Sequence, residues 1–315
     1  MPEAHFAPSA CLPGWQGGAR SSLLECPLAF KGEEPSMRSP WWLAGVLGVL
    51  AGVAIAASGE APEPEAGIQV AGTIVVGPEG KPLEYTLTGA ERLPKEVRRF
   101  LDFHIPRWEF DPPVVDGKPV ALRNRMGLYV VARPSPDGGM RMVLQSASFT
   151  PVEKGAGHDL SGARMPAPPY PEAAAEVGVE ATVYLVLKIG RDGKVIEAAD
   201  EQVNLHFVAQ RDADKWRDIF ARSAISATRG WRFHVPSQGP DAGQESWLIR
   251  VPVAYTFDQR NRYGEWQAYV PGPRKVVAWL PEEEQGRPLE AMAGGSVNPV
   301  GQRGGAMLIP AGMGL

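Results

Sequence analysis

The side chains of this chain best suited to acid–base catalysis or metal binding are its five histidines. None of them stands at a spacing from cysteine, aspartate or glutamate that is typical of a metal site. We therefore expect all five to be surface or half-buried structural residues: His5, His104, His158, His206 and His234. The sequence predicts neither a bound metal ion nor a cofactor.

Motifs that would supply a nucleophile or bind phosphate are also missing from the sequence. It has no Gly-x-Ser-x-Gly, no P-loop, and no Gly-x-Gly-x-x-Gly after a predicted strand. Cysteine occurs only as Cys11 and Cys26, so the predicted folded body has no thiol for catalysis, a disulfide or a metal site. The acidic run at residues 282–284 is typical of a solvated segment. We expect a non-catalytic protein, with an enzyme of unrecognised type as the alternative.

Composition places the chain among ordinary globular proteins. Its 315 residues are enough for two domains, and 44% hydrophobic with 22% charged residues is a usual balance. A net charge of −4 provides no basic field for nucleic acid, so we expect no nucleic-acid partner. Glycine (36) and proline (31) are frequent enough to predict long loops or tails beside the folded parts.

Two stretches of the chain follow the same order of features: an apolar strand, a turn with Gly-Lys, a helix, Trp-x-Phe and a last strand. The first copy comprises residues 73–76, 79–81, 107–110 and 128–131, and the second comprises residues 184–187, 192–194, 230–233 and 249–253. The distance along the chain from Trp108 to Val130 equals that from Trp231 to Val253. Matching order and spacing predict a duplicated small domain.

The two Trp-x-Phe pairs are the largest aromatic features of these copies. In a strand, residues two apart share a face, so each pair places two rings on one side, as is typical of a small core. We expect Trp108, Phe110, Trp231 and Phe233 to be core residues. Arg232, inside the second pair, then faces solvent; the alternative is that it contacts a partner protein.

Residues 41–57 contain neither a charge nor a proline, and they predict a signal peptide or a membrane anchor. Arg38 precedes them and glutamates follow, which favours a body outside the cytoplasm. With a start at Met37, residues 37–57 form a compact signal peptide. Residues 1–36 are then an overextended, unstructured start; the alternative is a cytoplasmic tail before an anchor. Membrane contact is expected only through residues 41–57.

Periodicity and turn signals divide the rest of the chain into two domains. After a Pro/Glu linker at residues 58–66, strands and a helix occupy residues 67–149 and again residues 170–258, with a linker at residues 150–169. Residues 259–315 lose this pattern. Their first part is expected to add a strand or pack on the second domain, and the tail from residue 281 is expected to be disordered.

Residues 247–257 predict the last long strand of the second domain, and Pro252 lies inside it. Proline cannot donate to a ladder of hydrogen bonds, so this strand is predicted to be an edge strand or to be bulged there. An edge strand offers unpaired N–H and C=O groups to an incoming peptide. The alternative is that residues 259–280 cover this edge from within the chain.

The second copy resembles the C-terminal domain of TonB proteins over about residues 167–257. The matching features are Tyr170-Pro171, Ala173-Ala174-Ala175, Gly178, an apolar strand, Asp192-Gly193, a helix, Trp231-Arg232-Phe233 and a final strand. The first copy is similar but lacks the Tyr-Pro opening. The resemblance implies an α+β fold: two small β-β-α-β domains in tandem in the periplasm, preceded by a signal peptide or membrane anchor.

The resemblance also implies a function. In that family the C-terminal domain engages a short peptide of outer-membrane receptors by strand addition and delivers energy from an inner-membrane motor complex. It implies here a non-catalytic protein-binding module whose partners are an envelope protein or receptor peptide, and motor components. The expected partner-binding residues are Tyr170, Pro171, Arg232, Trp247, Ile249, Val251, Val253 and Tyr255. The alternative is a structural or assembly protein of the cell envelope that uses the fold as a scaffold.

Overall fold

The structure is a computed structural model that describes residues 64–115, 117–135, 139–152, 157–206, 212–239, 241–257 and 262–301. All of these belong to one compact unit, Ser58–Leu315. Residues 1–57, which hold the predicted start and the predicted signal peptide or anchor, lie outside the described residues. Across the described ranges, no helix has the length and apolar character needed to cross a membrane.

The first half of the described chain is a sheet with one helix against one face. In chain order its elements are β1 (Glu65–Val76), β2 (Pro82–Leu87), α1 (Lys95–His104), the short hairpin β3 (Val114–Val115) and β4 (Lys118–Pro119), β5 (Leu122–Pro134) and β6 (Met140–Pro151). β1 lies between β2 and β5, and β6 lies beyond β5. Apolar residues alternate along β1, so Ile68, Val70 and Ile74 pack in one core with Val97 and Leu101 of α1.

The second half is likewise a sheet with a helix against one face. Its elements are β7 (Ser161–Arg164), α2 (Glu172–Val177), β8 (Glu180–Gly190), β9 (Val195–His206), α3 (Ala213–Thr228), β10 (Arg232–His234) and β11 (Ser246–Tyr255). β8 lies between β9 and β11 in an antiparallel sheet, and β7 pairs with β10. Val183 and Leu185 of β8 pack in one core with Phe220 and Ala224 of α3. The mixture of sheets and helices confirms the predicted α+β class.

Residues 262–301 connect the two halves. β12 (Gln267–Tyr269) pairs with the first residues of β1, and Val270 exchanges two backbone hydrogen bonds with Leu205 of β9. The chain then crosses the face of the second sheet opposite α3, where Val277 and Leu280 pack with Val186. It reaches β13 (Asn298–Pro299), which lies beside β11.

The prediction of a disordered tail from residue 281 is wrong for residues 281–301. The acidic run forms a 3₁₀ helix (Glu282–Glu284), and Glu284 is buried rather than solvated. Leu289, Glu290 and Ala291 are at most 3% exposed. Residues 281–301 show no apolar periodicity, because this segment is held by contacts with distant strands rather than by its own regular structure. Nearer the N-terminus, the predicted linkers at 58–66 and 150–169 contain the start of β1 and the whole of β7.

The Gly-Lys turns of the two halves make the same contacts. Gly80 O accepts a hydrogen bond from Phe110 N at 2.8 Å, and Gly193 O accepts one from Phe233 N at 2.9 Å. Both glycines have positive φ, 76° and 71°. A Cβ atom would lie 2.0 Å from Phe110 O at the first glycine and 2.2 Å from Phe233 O at the second. Only glycine fits either position.

The expectation that both Trp-x-Phe pairs are core residues is confirmed. Trp108, Phe110, Trp231 and Phe233 are between 1% and 5% exposed, and the ring centroids within each pair are 6.3 and 6.5 Å apart. The two indoles differ in one respect. Trp231 Nε1 donates to Pro166 O at 2.9 Å, whereas Trp108 Nε1 is buried without a hydrogen-bond acceptor.

Val130 and Val253 stand at the same distance along the chain from Trp108 and Trp231, but they do not occupy equivalent positions in the two sheets. Counted back from the two turns, Ile68 of β1 corresponds to Ala181 of β8. Val130 pairs with Ile68, but the residue paired with Ala181 is Tyr255. The connection from Trp-x-Phe to the last strand is longer in the second half. The two halves are therefore matched by the order of their features and not by equal numbers of residues between them.

Candidate functional site

β11 is the strand for which the sequence predicts partner binding, and its side chains alternate between two faces. Trp247, Ile249, Val251, Val253 and Tyr255 are at most 7% exposed and belong to the core beneath α3. These five predicted site residues therefore hold the second half together. They cannot present their side chains to a partner while that core stays intact.

The outer edge of β11 is formed by the backbone of the residues between them. Three carbonyl oxygens accept hydrogen bonds there: Leu248 O from Val300 N at 2.9 Å, Arg250 O from Asn298 Nδ2 at 3.2 Å, and Pro252 O from Gly295 N at 2.7 Å. In an antiparallel ladder the N–H and C=O of one residue point to the same side. Even-numbered residues of β11 thus present their backbone groups to this edge, and odd-numbered residues present theirs to β8.

Pro252 lies on this outer edge, as the sequence predicts. It pairs with Tyr184 of β8, and the register between the two strands does not shift there, so β11 has no bulge at the proline. The missing N–H faces away from β8 and costs that ladder no hydrogen bond. The same rule would have identified Leu248 and Arg250 from the sequence, because residues two apart share the orientation of Pro252.

The edge is not as exposed as predicted, and it is not covered by the residues proposed as the alternative. Residues 262–280 pair with β1 and β9 instead. The residues that cover the edge are 295–300, of which β13 contributes two paired positions, opposite Ile249 and Arg250.

A buried ion-pair network supports β11 from the face opposite α3. Arg250 donates from Nε and Nη2 to the two carboxylate oxygens of Glu201 at 2.7 and 3.0 Å. It also donates to Glu284 Oε2 at 2.8 Å and to Glu284 O at 2.7 Å. Burial opposes the charge of Arg250, but the hydrogen bonds and charges of Glu201 and Glu284 outweigh it and raise its pKa. None of these three residues is among those that the sequence predicts for the site.

Tyr170 and Pro171 lie at the entrance to the second half and have structural contacts. Tyr170 stacks on Phe257 with ring centroids 4.5 Å apart, and its hydroxyl donates to Val179 O at 2.6 Å. Burial, followed by the charge of Glu180, raises the pKa of Tyr170 to about 12. Pro171 O accepts the N–H groups of the first turn of α2. Tyr170 also meets Tyr255, another predicted site residue, at 5.7 Å between ring centroids.

Arg232 is half-buried on β10 and pairs with Arg164 of β7 rather than with β11. Its Nη1 donates to Arg229 O at 3.2 Å and to Trp231 O at 2.6 Å. These contacts tie it to the end of α3. The structure does not bring Arg232 to the edge of β11.

In the first sheet, a full-length strand occupies the position that residues 295–300 occupy in the second sheet. β5 corresponds to β11, and β6 pairs with β5 on the side where residues 295–300 lie against β11. That pairing covers eleven positions, from Asn124 opposite Pro151 to Pro134 opposite Met140. The position beside the last strand is therefore fully occupied in the first half and only partly occupied in the second.

The histidines of the described ranges do not form a metal-binding cluster. Throughout the described ranges, no group of three or more His, Cys, Asp or Glu side chains is arranged to hold a metal ion. His206 Nε2 lies 3.1 Å from Thr182 Oγ1 where β9 meets the end of β12. Burial is the largest influence on its pKa and lowers it.

Comparisons with known proteins agree with a part of the chain only. Two curated proteins named TonB, from two strains of Xanthomonas campestris pv. campestris, are 30% identical to this chain over 105 residues. The match covers 33% of this chain and 41% of each relative, so the chain spans about two fifths of the curated relatives it matches. No family model matches the chain, and no solved structure matches it significantly. A TonB-like relationship is what the matched third of the chain supports.

Proposed function

We propose that this protein is a non-catalytic binding module of the cell envelope that recognises an extended segment of a partner protein by strand addition to the outer edge of β11. The observation that carries the proposal is the state of that edge. β11 has ten residues, yet β13 pairs with only two of them. Backbone groups at an incompletely paired edge are suited to accept another strand.

The buried network behind the edge supports this proposal. Arg250 fixes β11 to β9 through Glu201 and to the C-terminal segment through Glu284, each with two hydrogen bonds. A strand that is held rigidly on its inner side presents its outer backbone groups in a fixed geometry. Strand addition then orders mainly the incoming peptide, which lowers the entropic cost of binding.

The TonB-like relationship supports a place in the cell envelope. Our proposal is that the folded body lies in the periplasm and that residues 41–57 are either a signal peptide or an inner-membrane anchor. The partners are then an envelope protein or a peptide of an outer-membrane receptor, and energy transduction with inner-membrane motor components is the most specific form of this proposal. The second candidate is an assembly or structural protein that uses the fold as a scaffold. It is favoured by the three carbonyl oxygens of β11 that residues 295–300 already occupy.

Affinity capture from solubilised envelope tests the proposal, with the full chain compared against Ala254→Pro. Ala254 is exposed and has the edge-facing orientation of Pro252, so a proline there removes an outward N–H while leaving the bonds to β8 in place. Ala254→Thr keeps the N–H and is the matched control. We expect captured proteins to be lost with the proline variant and kept with the threonine variant. Equal capture by both variants would contradict strand addition at β11.

A further inference from the structure

The segment that covers β11 in the structure is itself an extended peptide. Residues 294–301, the cap segment, read Gly-Gly-Ser-Val-Asn-Pro-Val-Gly and carry no charge. Gly295 N and Val300 N donate to carbonyl oxygens of β11, and the Asn298 side chain donates to a third. The cap segment thus uses the edge in the way that an added strand would.

The cap segment is held by far fewer contacts than the strand in the corresponding place of the first sheet. Its ladder with β11 covers two positions, whereas β6 pairs with β5 over eleven. Pro299 stands opposite Ile249 and has no N–H to contribute. The side chains of the cap segment are all only half-buried: Ser296, Val297, Asn298, Pro299 and Val300. A strand of this kind is exchangeable, because few hydrogen bonds must break before another strand replaces it.

Glycines at both ends let the cap segment enter and leave the edge abruptly. Gly295 and Gly301 have positive φ, 73° and 69°, and a Cβ at either would meet no atom within 4 Å. The glycines are therefore required by the backbone conformation and not by close packing. The extended stretch is limited to the residues between them.

The side chains between these glycines indicate which sequence the edge accepts. Val297 packs against the core beneath α3, and Val300 packs against the cluster of Val186, Val277 and Leu280 on the opposite face. Asn298 also donates to Ser296 O and Ser296 Oγ at 3.2 and 2.8 Å, which keeps its amide turned toward β11. Apolar side chains thus anchor the segment on both faces of the sheet, with an amide between them.

We propose that the cap segment is a stand-in for the partner, and that the partner strand shares its chemistry: an uncharged, extended segment with apolar residues at the positions of Val297 and Val300. Binding then requires exchange, in which the partner displaces the cap segment from β11. This inference rests on the proposed function, since it names the partner chemistry and the regulation of the same edge. A tethered competitor lowers the apparent affinity for a partner in proportion to the fraction of chains with a free edge.

The test uses a fluorescently labelled synthetic peptide with the sequence of residues 294–301 and the full chain. Binding is measured by anisotropy for the parent chain and for Val300→Asp, which places a charge in an apolar contact of the cap segment; Val300→Ile is the matched control. We expect Val300→Asp to bind the peptide at least about tenfold more tightly than the parent, because its edge is free more often. A peptide with aspartate at both valine positions should bind neither chain.

A disulfide provides the opposite perturbation. Ala254 and Gly294 are exposed, and a Cβ built on Gly294 lies 3.7 Å from that of Ala254, within the range of about 3.5–4.5 Å that a disulfide needs. In a chain with Cys11 and Cys26 changed to serine, Ala254→Cys with Gly294→Cys should bind the peptide weakly when oxidised and like the parent after reduction. Each single cysteine variant controls for the substitutions.

Amide hydrogen exchange shows displacement directly and detects misfolding. Added peptide should speed exchange at Val300 N and Gly295 N while the amides between β8 and β11 stay protected. The inference is overturned if Val300→Asp, with protected β8–β11 amides, binds no more tightly than the parent. It is also overturned if envelope proteins are captured equally by the oxidised and reduced disulfide variant, because the partner would then bind without displacing the cap segment. Peptide exchange without any captured envelope protein supports the inference and counts against the proposed function instead.

Discussion

Loss of the charge on Glu201 should destabilise the folded body far more than loss of a surface charge. Arg250, Glu201 and Glu284 are 6%, 4% and 5% exposed, so the guanidinium cannot turn to water when a partner is removed. Breaking one side of a buried ion pair costs about 3–5 kcal/mol. Because Glu284 still accepts two hydrogen bonds, we expect Glu201→Gln to lower the free energy of unfolding by about 3 kcal/mol, a large part of the roughly 5–15 kcal/mol typical of a domain.

Urea unfolding at neutral pH measures this loss, with the slope of the transition checked for constancy. Glu197→Gln is the matched control on the same strand: its pair with Lys188 is 3.0 Å long but 33–40% exposed, and its loss should cost less than about 1 kcal/mol. Replacing the whole network with Arg250→Met, Glu201→Leu and Glu284→Leu should restore most of the stability, since no charge is then left unpaired. The reasoning is refuted if Glu201→Gln costs no more than Glu197→Gln, or if the triple variant is less stable than Glu201→Gln.

Three further outcomes follow from the structure. Gly193→Ala should lower the free energy of unfolding in urea by about 2–3 kcal/mol, because it combines a positive φ with a Cβ 2.2 Å from Phe233 O. Gly178→Ala is the control: its φ is also positive but the space around it is open, so it should cost about 1 kcal/mol. Equal losses of stability in the two variants would contradict the predicted clash. Trp231→Phe should cost about 1 kcal/mol more than Trp108→Phe, because only Trp231 Nε1 has an acceptor, Pro166 O; the reverse order would be inconsistent with this difference. His206 has a lowered pKa in the folded state, mainly through burial, so the unfolded chain binds its proton first as the pH falls. Its contribution to stability is complete above about pH 6.5 and should decline below it, and His206→Gln should flatten the dependence of the urea midpoint between pH 7.5 and pH 5.5.

Local sequence signals predicted the regular parts of the fold well. Apolar runs predicted strands β1 and β8, and each Gly-Lys turn contains a glycine with positive φ that lies too close to a carbonyl oxygen for a Cβ atom to fit. Large aromatics in Trp-x-Phe marked core positions, since two rings on one face of a strand must be buried together. These signals depend only on residues close together in the sequence, so a single sequence is enough to predict these strands, turns and core positions.

The candidate site was predicted in its location but not in its residues. The strand was predicted, and Pro252 placed it at an edge. The residues expected to bind on that strand, however, alternate with the edge-facing ones, and their side chains form the core. The covering segment could not be foreseen, because its contacts link residues 295–300 to a strand some fifty residues earlier and follow no period. Glu284 was assigned to solvent for the same reason: only the folded chain brings Arg250 beside it.

The pairing of β12 with β1 also constrains when this protein can fold. Tyr269 OH donates to Glu65 Oε2 at 2.6 Å across 204 residues of chain, and the backbones of the same two residues are paired. The edge of the first sheet therefore stays incomplete until residue 269 has emerged from the ribosome. Contacts of such sequence separation slow folding, because a long loop must close before they form. The body is thus expected to finish folding only late in synthesis or after it, when β12 becomes available to pair with β1.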